Sequence, residues 1–187
     1  MSGSRPVLLV MDFQHGIVER FSASQVVEAA DRAVKTARAA RIPVIFVRVA
    51  FRPGYPEVAE SNATFSRIMA SGGDSYTEDH PATQVHASLA PLADEPVVIK
   101  RRVSAFTGSD LDVLLRGLGA DTLVLAGIAT SGVVLSTLRQ AADLDYGLVV
   151  LSDACADADP EVHRVLTEKV FPRQAQVTTT DEWISTL

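Results

Sequence analysis

Apolar residues fall along the chain in runs of two kinds. PVLLVM (6–11), PVIFVRV (43–49), TLVLAG (122–127) and LVVLSDA (148–154) are rich in β-branched residues and apolar at nearly every position. A strand with one wet face alternates apolar and polar residues, so unbroken runs predict strands buried on both faces of a parallel sheet. PVVIKRRV (96–103) is a fifth run and QAQVTTT (174–180) a weaker sixth. Between them the apolar positions recur at helical spacing. Residues 22–42 put Val26, Val27, Ala30, Val34 and Ala37 on one stripe, with charges opposite. Residues 107–119 offer Ser109 as N-cap, two acidic residues in the first turn and a closing glycine. Residues 159–172 open with Asp159 as cap and Pro160 at the first helical position. They carry the stripe Val162, Val165, Leu166 and Val170, and stop at Pro172.

Strand, helix and strand in alternation call for right-handed crossovers. The expected fold is α/β: a three-layer, doubly wound, mainly parallel six-stranded sheet of Rossmann-like build. Residues 51–92 depart from this order, being rich in Gly, Pro, Ser and His with only short helical patterns near 63–69 and 82–90. A long irregular insertion of this kind often serves as a lid or part of a subunit interface. No repeat or linker divides the chain, so residues 1–187 are read as one domain, long enough to bury about 70% of its unfolded surface.

Charge narrows the partners. The formal net charge is −6 and no long Lys/Arg run is present, which argues against nucleic acid or an anionic membrane. A single cysteine, Cys155, excludes an internal disulfide framework and suits a reducing compartment. The apolar run at the N-terminus is too short for a secretory core or a membrane span. The reading is a cytoplasmic protein acting on a small molecule, with no nucleic acid or membrane partner.

In open α/β sheets ligands bind beyond the carboxyl ends of the strands, near the switch in strand order. The residues there are Asp12, Lys100, the turn GIATSGVV (127–134) and SDAC (152–155). No glycine-rich dinucleotide or phosphate loop follows any strand, so no nucleotide cofactor is expected. Asp12 and Lys100 both close apolar runs, where a carboxylate beside a cation is held in a defined protonation state. His15, His80, His86 and His163 form no closely spaced metal pair in the sequence.

The segments VMDFQHGIV, VVIKRRVSAFTGSDLDVLL and LVLAGIATSGVVLSTLRQAADLDYGLVVLSDACAD stand in the order and spacing of the isochorismatase-like cysteine hydrolases. The chain resembles that family from residue 6 to about 172, least so in 51–92. The resemblance implies that Asp12 is the catalytic acid/base and Lys100 its cationic partner. It also implies that Phe13, Gln14 and Phe106 line the pocket with Ile128, Ala129 and Thr130. The peptide between Ile128 and Ala129 is expected to be cis, with the N–H groups of Ala129 and Val133 directed at one point. In that register the family's nucleophilic cysteine falls on Val133, which cannot attack a carbonyl. Ser131 and Ser136 flank the position, but at spacings that point them elsewhere. Metal-binding relatives use an Asp-x-His unit after the second strand. VRVAFRPGYP has neither residue, so no metal or cofactor is expected. The family's habit and the apolar content around the insertion point to a homo-oligomer, a dimer or tetramer.

Three functions remain open at this level. The first is a hydrolase without a covalent thioester, in which Asp12 works as general acid/base with Lys100. The isochorismatase branch is the precedent, since it lacks the cysteine and cleaves a vinyl ether after a carboxylic acid protonates the enol carbon. Val133 is bulkier than the residue those enzymes carry, so isochorismate itself is not the expected substrate. The second is a non-catalytic small-molecule-binding pseudoenzyme. The third is a hydrolase with a displaced nucleophile, either Cys155 or a water activated by Asp12.

Overall fold

The computed structural model describes residues 4–21 and 23–187. Six parallel strands form one sheet: β1 (Pro6–Met11), β2 (Val44–Val49), β3 (Val97–Lys100), β4 (Thr122–Ile128), β5 (Gly147–Ala156) and β6 (Gln176–Thr178). Their order is β3-β2-β1-β4-β5-β6, so the chain reverses direction across the sheet between β1 and β4. The run at 96–103 yields only four residues of strand. Val97–Lys100 pair with Phe46–Val49, and the backbone then leaves the sheet to carry residues 101–106 over its carboxyl edge.

Both sheet faces are covered, which is why the strands read as unbroken apolar runs. Val7, Leu9 and Met11 of β1 join one core with α4 (Leu111–Leu118), α5 (Leu135–Asp143) and the segment after α6 (Pro160–Val165). Leu8 and Val10 join the other, beneath α2 (Ser24–Ala39) and α7 (Thr180–Ile184). Each fully buried Val or Leu contributes about 1.5–3 kcal/mol by leaving water. In α2 the buried stripe is Val27, Ala29, Ala30, Ala33, Val34 and Ala37, with Val26 at its margin. Two further helices, α1 (His15–Phe21) and α3 (Ala63–Gly72), lie before and within the insertion.

Two helix details differ from the sequence pattern. Ser109 does accept a hydrogen bond from the Leu111 N–H, but the N-cap residue itself is Asp110, which makes no side-chain cap bond. In α6 Asp159 caps as expected, accepting from Glu161 N–H at 2.8 Å. Its inward side is rotated, however: Val162 is 37% exposed, while His163 is half-buried and Leu166 and Thr167 are buried. A polar residue takes the inner position because it finds a partner there.

The insertion folds onto the sheet around a small apolar cluster. Phe51 stacks on Tyr55 and Phe65, each with ring centroids 5.4 Å apart. Residues 82–90 form two single 3₁₀ turns, Pro81–Thr83 and Ala87–Leu89, capped by the side chains of His80 and His86.

Candidate active site

At the end of β1 the chain turns sharply. Asp12 has φ +58°, in the left-handed region that Asp tolerates better than most residues. Its N–H still bonds Val47 O at 2.8 Å, which anchors the turn to β2. The carboxylate meets Lys100 from β3, with Oδ2 2.9 Å from Nζ. Lys100 therefore reaches across the end of β2 to the strand beyond it. Its ammonium also donates to Arg102 O at 3.1 Å. Both side chains are buried, at 7% and 3% exposure. Asp12 Oδ1 is buried too and has no hydrogen-bond partner among the described residues. Burial raises the Asp12 carboxyl above its ordinary value; the Lys100 charge and hydrogen bond, and the nearby Val49 N–H whose own bond goes to Gln14 at 2.8 Å, offset this only in part.

The second wall comes from β4. Gly127 pairs with Met11, so the turn after β4 starts beside Asp12. A Cβ at Gly127 would stand 3.0 Å from Met11 O and 3.1 Å from Val134 Cγ2, which only glycine avoids. The Ile128–Ala129 peptide is cis. Ala129 then opens a tight turn, its carbonyl accepting from Gly132 N–H at 3.1 Å and Val134 N–H at 3.3 Å. Gly132, at φ −95° and ψ −106°, breaks the helical path before α5 begins. Val133 is 2% exposed and shares a core with Met11, Ala105 and Phe106. Ser131 is exposed, and its N–H is taken by Asp157 at 2.7 Å.

The remaining expected pocket residues divide between the two cores. Phe106 packs with Val133 and faces Tyr146 at 6.2 Å. Phe13 and Ile128 lie in the core beneath α2 instead. Ile128 follows the parity of Val124 and Ala126 on that face, and the turn at Asp12 brings Phe13 to the same side. Gln14 is occupied as a brace. Its amide donates to Val49 O at 2.9 Å and Thr83 O at 3.0 Å and accepts from Val49 N–H at 2.8 Å. Gln14 thus ties β2 and the insertion to the Asp12 turn. The Thr130 hydroxyl, fully buried, bonds His163 Nδ1 at 2.8 Å.

Several residues around the site have no signal in the apolar pattern. Thr137 Oγ1 accepts from Ala105 N–H at 3.0 Å, and Gln140 accepts from Ser104 and Thr107, so α5 clamps the 104–107 segment. His15 stands against His86, with ring centroids 5.1 Å apart. His163 gave no such signal either, although it lies three positions before Leu166 on the same helical face.

Cys155, the single cysteine of the chain, is enclosed. It pairs with Gly127 inside the sheet, is 4% exposed, and burial pushes its thiol up to about 12. A protonated, enclosed thiol is a poor nucleophile at neutral pH. Among the described residues no three His, Cys, Asp or Glu side chains come together as a metal site. No described helix is long and apolar enough to cross a membrane.

This arrangement has counterparts. The isochorismatase domain model matches residues 6–182. The isochorismatase family protein YecD of Escherichia coli O157:H7 is 32% identical over 191 residues, covering 100% of this chain and 98% of its own. A cysteine hydrolase from Pseudomonas syringae pv. phaseolicola 1448A superposes with a TM-score of 0.87 at 26% identity, over 97% of this chain and 91% of that one. N-carbamoylsarcosine amidase from Thermoplasma acidophilum does so with a TM-score of 0.77 at 28% identity, over 95% and 97%. With the family model matched along nearly its whole length and the fold shared throughout, the chain belongs to the isochorismatase family of hydrolases.

Proposed function

We propose that the protein hydrolyses a small molecule without a covalent thioester, using Asp12 as general acid/base and Lys100 as its partner. The observation that carries this reading is the asymmetry of the Asp12 carboxyl group: Oδ2 is held by Lys100 at 2.9 Å while Oδ1 is buried and unpartnered. A buried oxygen without a partner costs about 1–3 kcal/mol, a cost that a site has reason to keep if the oxygen handles a proton. Oδ1 is the atom assigned that task. Burial raises Asp12, so its carboxyl holds a proton at higher pH than an exposed one and can donate it. Transfer of that proton to an enol-ether carbon leaves an oxocarbenium ion. Water adds to the ion and returns a proton to Asp12, and the adduct collapses to a carbonyl compound and an alcohol. Lys100 holds the carboxylate in place between the two transfers.

Val133 supports the non-covalent route. A valine at the nucleophile's place, packed among Ala105 and Phe106, offers an apolar wall and no attacking atom. The turn's backbone from Ala129 to Val133 is assigned the task of orienting the substrate's oxygen.

Turnover across a panel of enol ethers, amides and ureido compounds tests the reading. Asp12→Asn is expected to lower kcat about 10²–10⁴-fold, and Cys155→Ala to leave it unchanged. The wild-type rate is expected to fall as pH rises through the raised Asp12 value. Loss of activity in Cys155→Ala would transfer the chemistry to that thiol. A rate that rises with pH over the same range would make Asp12 a base rather than an acid.

A further inference from the structure

The turn after β4 has two polar restraints on its outer side, both from the segment that leaves β5. Asp157 takes the Ser131 N–H at 2.7 Å, and His163 holds the Thr130 hydroxyl at 2.8 Å. The two contacts fall on consecutive residues directly after Ala129. Thr130 is fully buried, so its hydroxyl has no recourse to water, and His163 supplies its partner.

The local sequence places the histidine with care. Asp159 and Pro160 start α6 at a defined residue, and one turn later His163 faces inward with Leu166 and Thr167. The helix is locked there by Thr167 Oγ1, which donates to His163 O at 2.9 Å. An apolar residue would suit this face for packing alone, and Val162 beside it is left 37% exposed. The polar side chain has been put inside and the apolar one outside.

We infer that His163 is a positioning residue for the reaction: through the Thr130 hydroxyl it holds the backbone of Ala129–Val133 in register with Asp12 and Lys100. The inference rests on the reading of that turn as the substrate-orienting wall of the site. Among the described residues His163 makes no hydrogen bond or ion pair with Asp12 or Lys100, and it acts through Thr130. Burial keeps its imidazole below the ordinary histidine value, against the pull of Asp157, so at pH 7 it is neutral. On its outer side lies a cavity of about 360 Å³, whose charged lining residues are Asp153, Arg164 and Glu168. The brace is therefore placed between the reactive turn and the surface, where the helix can be altered without touching the catalytic pair.

The test uses a thiol as reporter. In a Cys155→Ala background, Val133→Cys places the sole thiol of the protein at the turn, and alkylation by iodoacetamide is followed against pH. Val133 is as enclosed as Cys155, but it stands at the N-terminus of α5, so the introduced thiol, unlike Cys155, is expected to ionise below the ordinary cysteine value of about 8.5. Adding His163→Ala is expected to slow alkylation at pH 7 about tenfold and return the midpoint toward the ordinary value. His163→Asn, whose amide reaches the place of Nδ1, is expected to restore most of both, and Thr130→Val to mimic the alanine variant. Melting temperatures are measured in parallel. If His163→Ala lowers the melting temperature but leaves the thiol's pH midpoint where it was, His163 is only structural and the inference is wrong. If Val133→Cys alone gives an ordinary, unshifted thiol, the reading of the turn as the reactive wall fails first, and the brace fails with it.

Discussion

The turn at 127–137 and the insertion at 51–92 both attach to the chain around the end of β1, the first at Met11 and the second at Phe13 and Gln14, yet they are held by different physics. The turn is short and its restraints are close in sequence or on neighbouring strands. Gly127 fits against Met11, Ala129 O caps the bend, and Val133 and Val134 are buried in the core at once. The insertion is anchored by side chains far from it. Gln14 ties it at Thr83, Arg48 donates to Glu78 O at 2.9 Å, and Arg101 pairs with Glu57 at 3.2 Å and with Glu78. Even its extended backbone is a patch, with Phe51 bridged to Thr77 and Gln14 to Val85. The turn is therefore built into the main core, whereas the insertion has a small core of its own, Phe51, Tyr55 and Phe65 with Val49, and polar contacts that fasten it to the rest. A unit with a small separate core opens at lower free energy than the sheet that carries it.

Three substitutions would break or sharpen this contrast. Lys100→Met acts on the buried pair beside the turn and has the largest expected effect. Removing the cation leaves Asp12 buried alone and raises its carboxyl still further above 3.8. A raised carboxyl binds more protons folded than unfolded, so stability falls as pH climbs above the ordinary carboxylate value. The variant is expected to lose about 3 kcal/mol at pH 8 and distinctly less at pH 5, read by urea unfolding at the two pH values. An equal deficit at both would mean that Lys100 does not set the ionisation of Asp12.

Gln14→Ala comes next and separates the two regions. It strands Val49 N–H and leaves two carbonyls short of a partner, at a cost of about 2–3 kcal/mol. Hydrogen exchange is expected to quicken in residues 77–86 while residues 130–134 keep their protection. Equal loss of protection in both would show that turn and insertion open as one unit. The smallest effect is expected from Glu57→Gln, which weakens the contacts with Arg52 and Arg101. About 1 kcal/mol is expected, diminishing as salt screens the pair. A loss confined to the insertion's exchange would confirm that the insertion opens as a separate, polar-fastened unit.

Asp12 and Lys100 could be singled out from the chain because each sits at the end of a readable run, whereas Val133 was marked only by the resemblance to the family's turn. Strand ends are visible where a buried apolar stretch stops, and a charge at such a stop stands out. Phe13 and Ile128 were harder to place. Their facing depends on how Asp12 turns and on strand parity at the sheet edge, and one residue of phase exchanges the two faces. Gln14 illustrates the same limit differently. Its type and position suggest a pocket residue, but its bonds run to Val49 and Thr83, 35 and 69 residues away. His163 looked like one more residue on an amphipathic helix, whose stripe by hydrophobicity alone is turned one position from the true one.

What the sequence determined by itself is the layered α/β build, the strand runs and the charges that close two of them, Asp12 and Lys100. These follow from local periodicity and residue chemistry, which each segment carries with it. Tertiary structure alone decided that Lys100 reaches over β2 to Asp12, that one oxygen of Asp12 is left without a partner, and that Cys155 is sealed in the sheet. It also decided that His163 meets Thr130 across 33 positions. Such meetings depend on which strands become neighbours and how far each end projects, and no short stretch of chain encodes them.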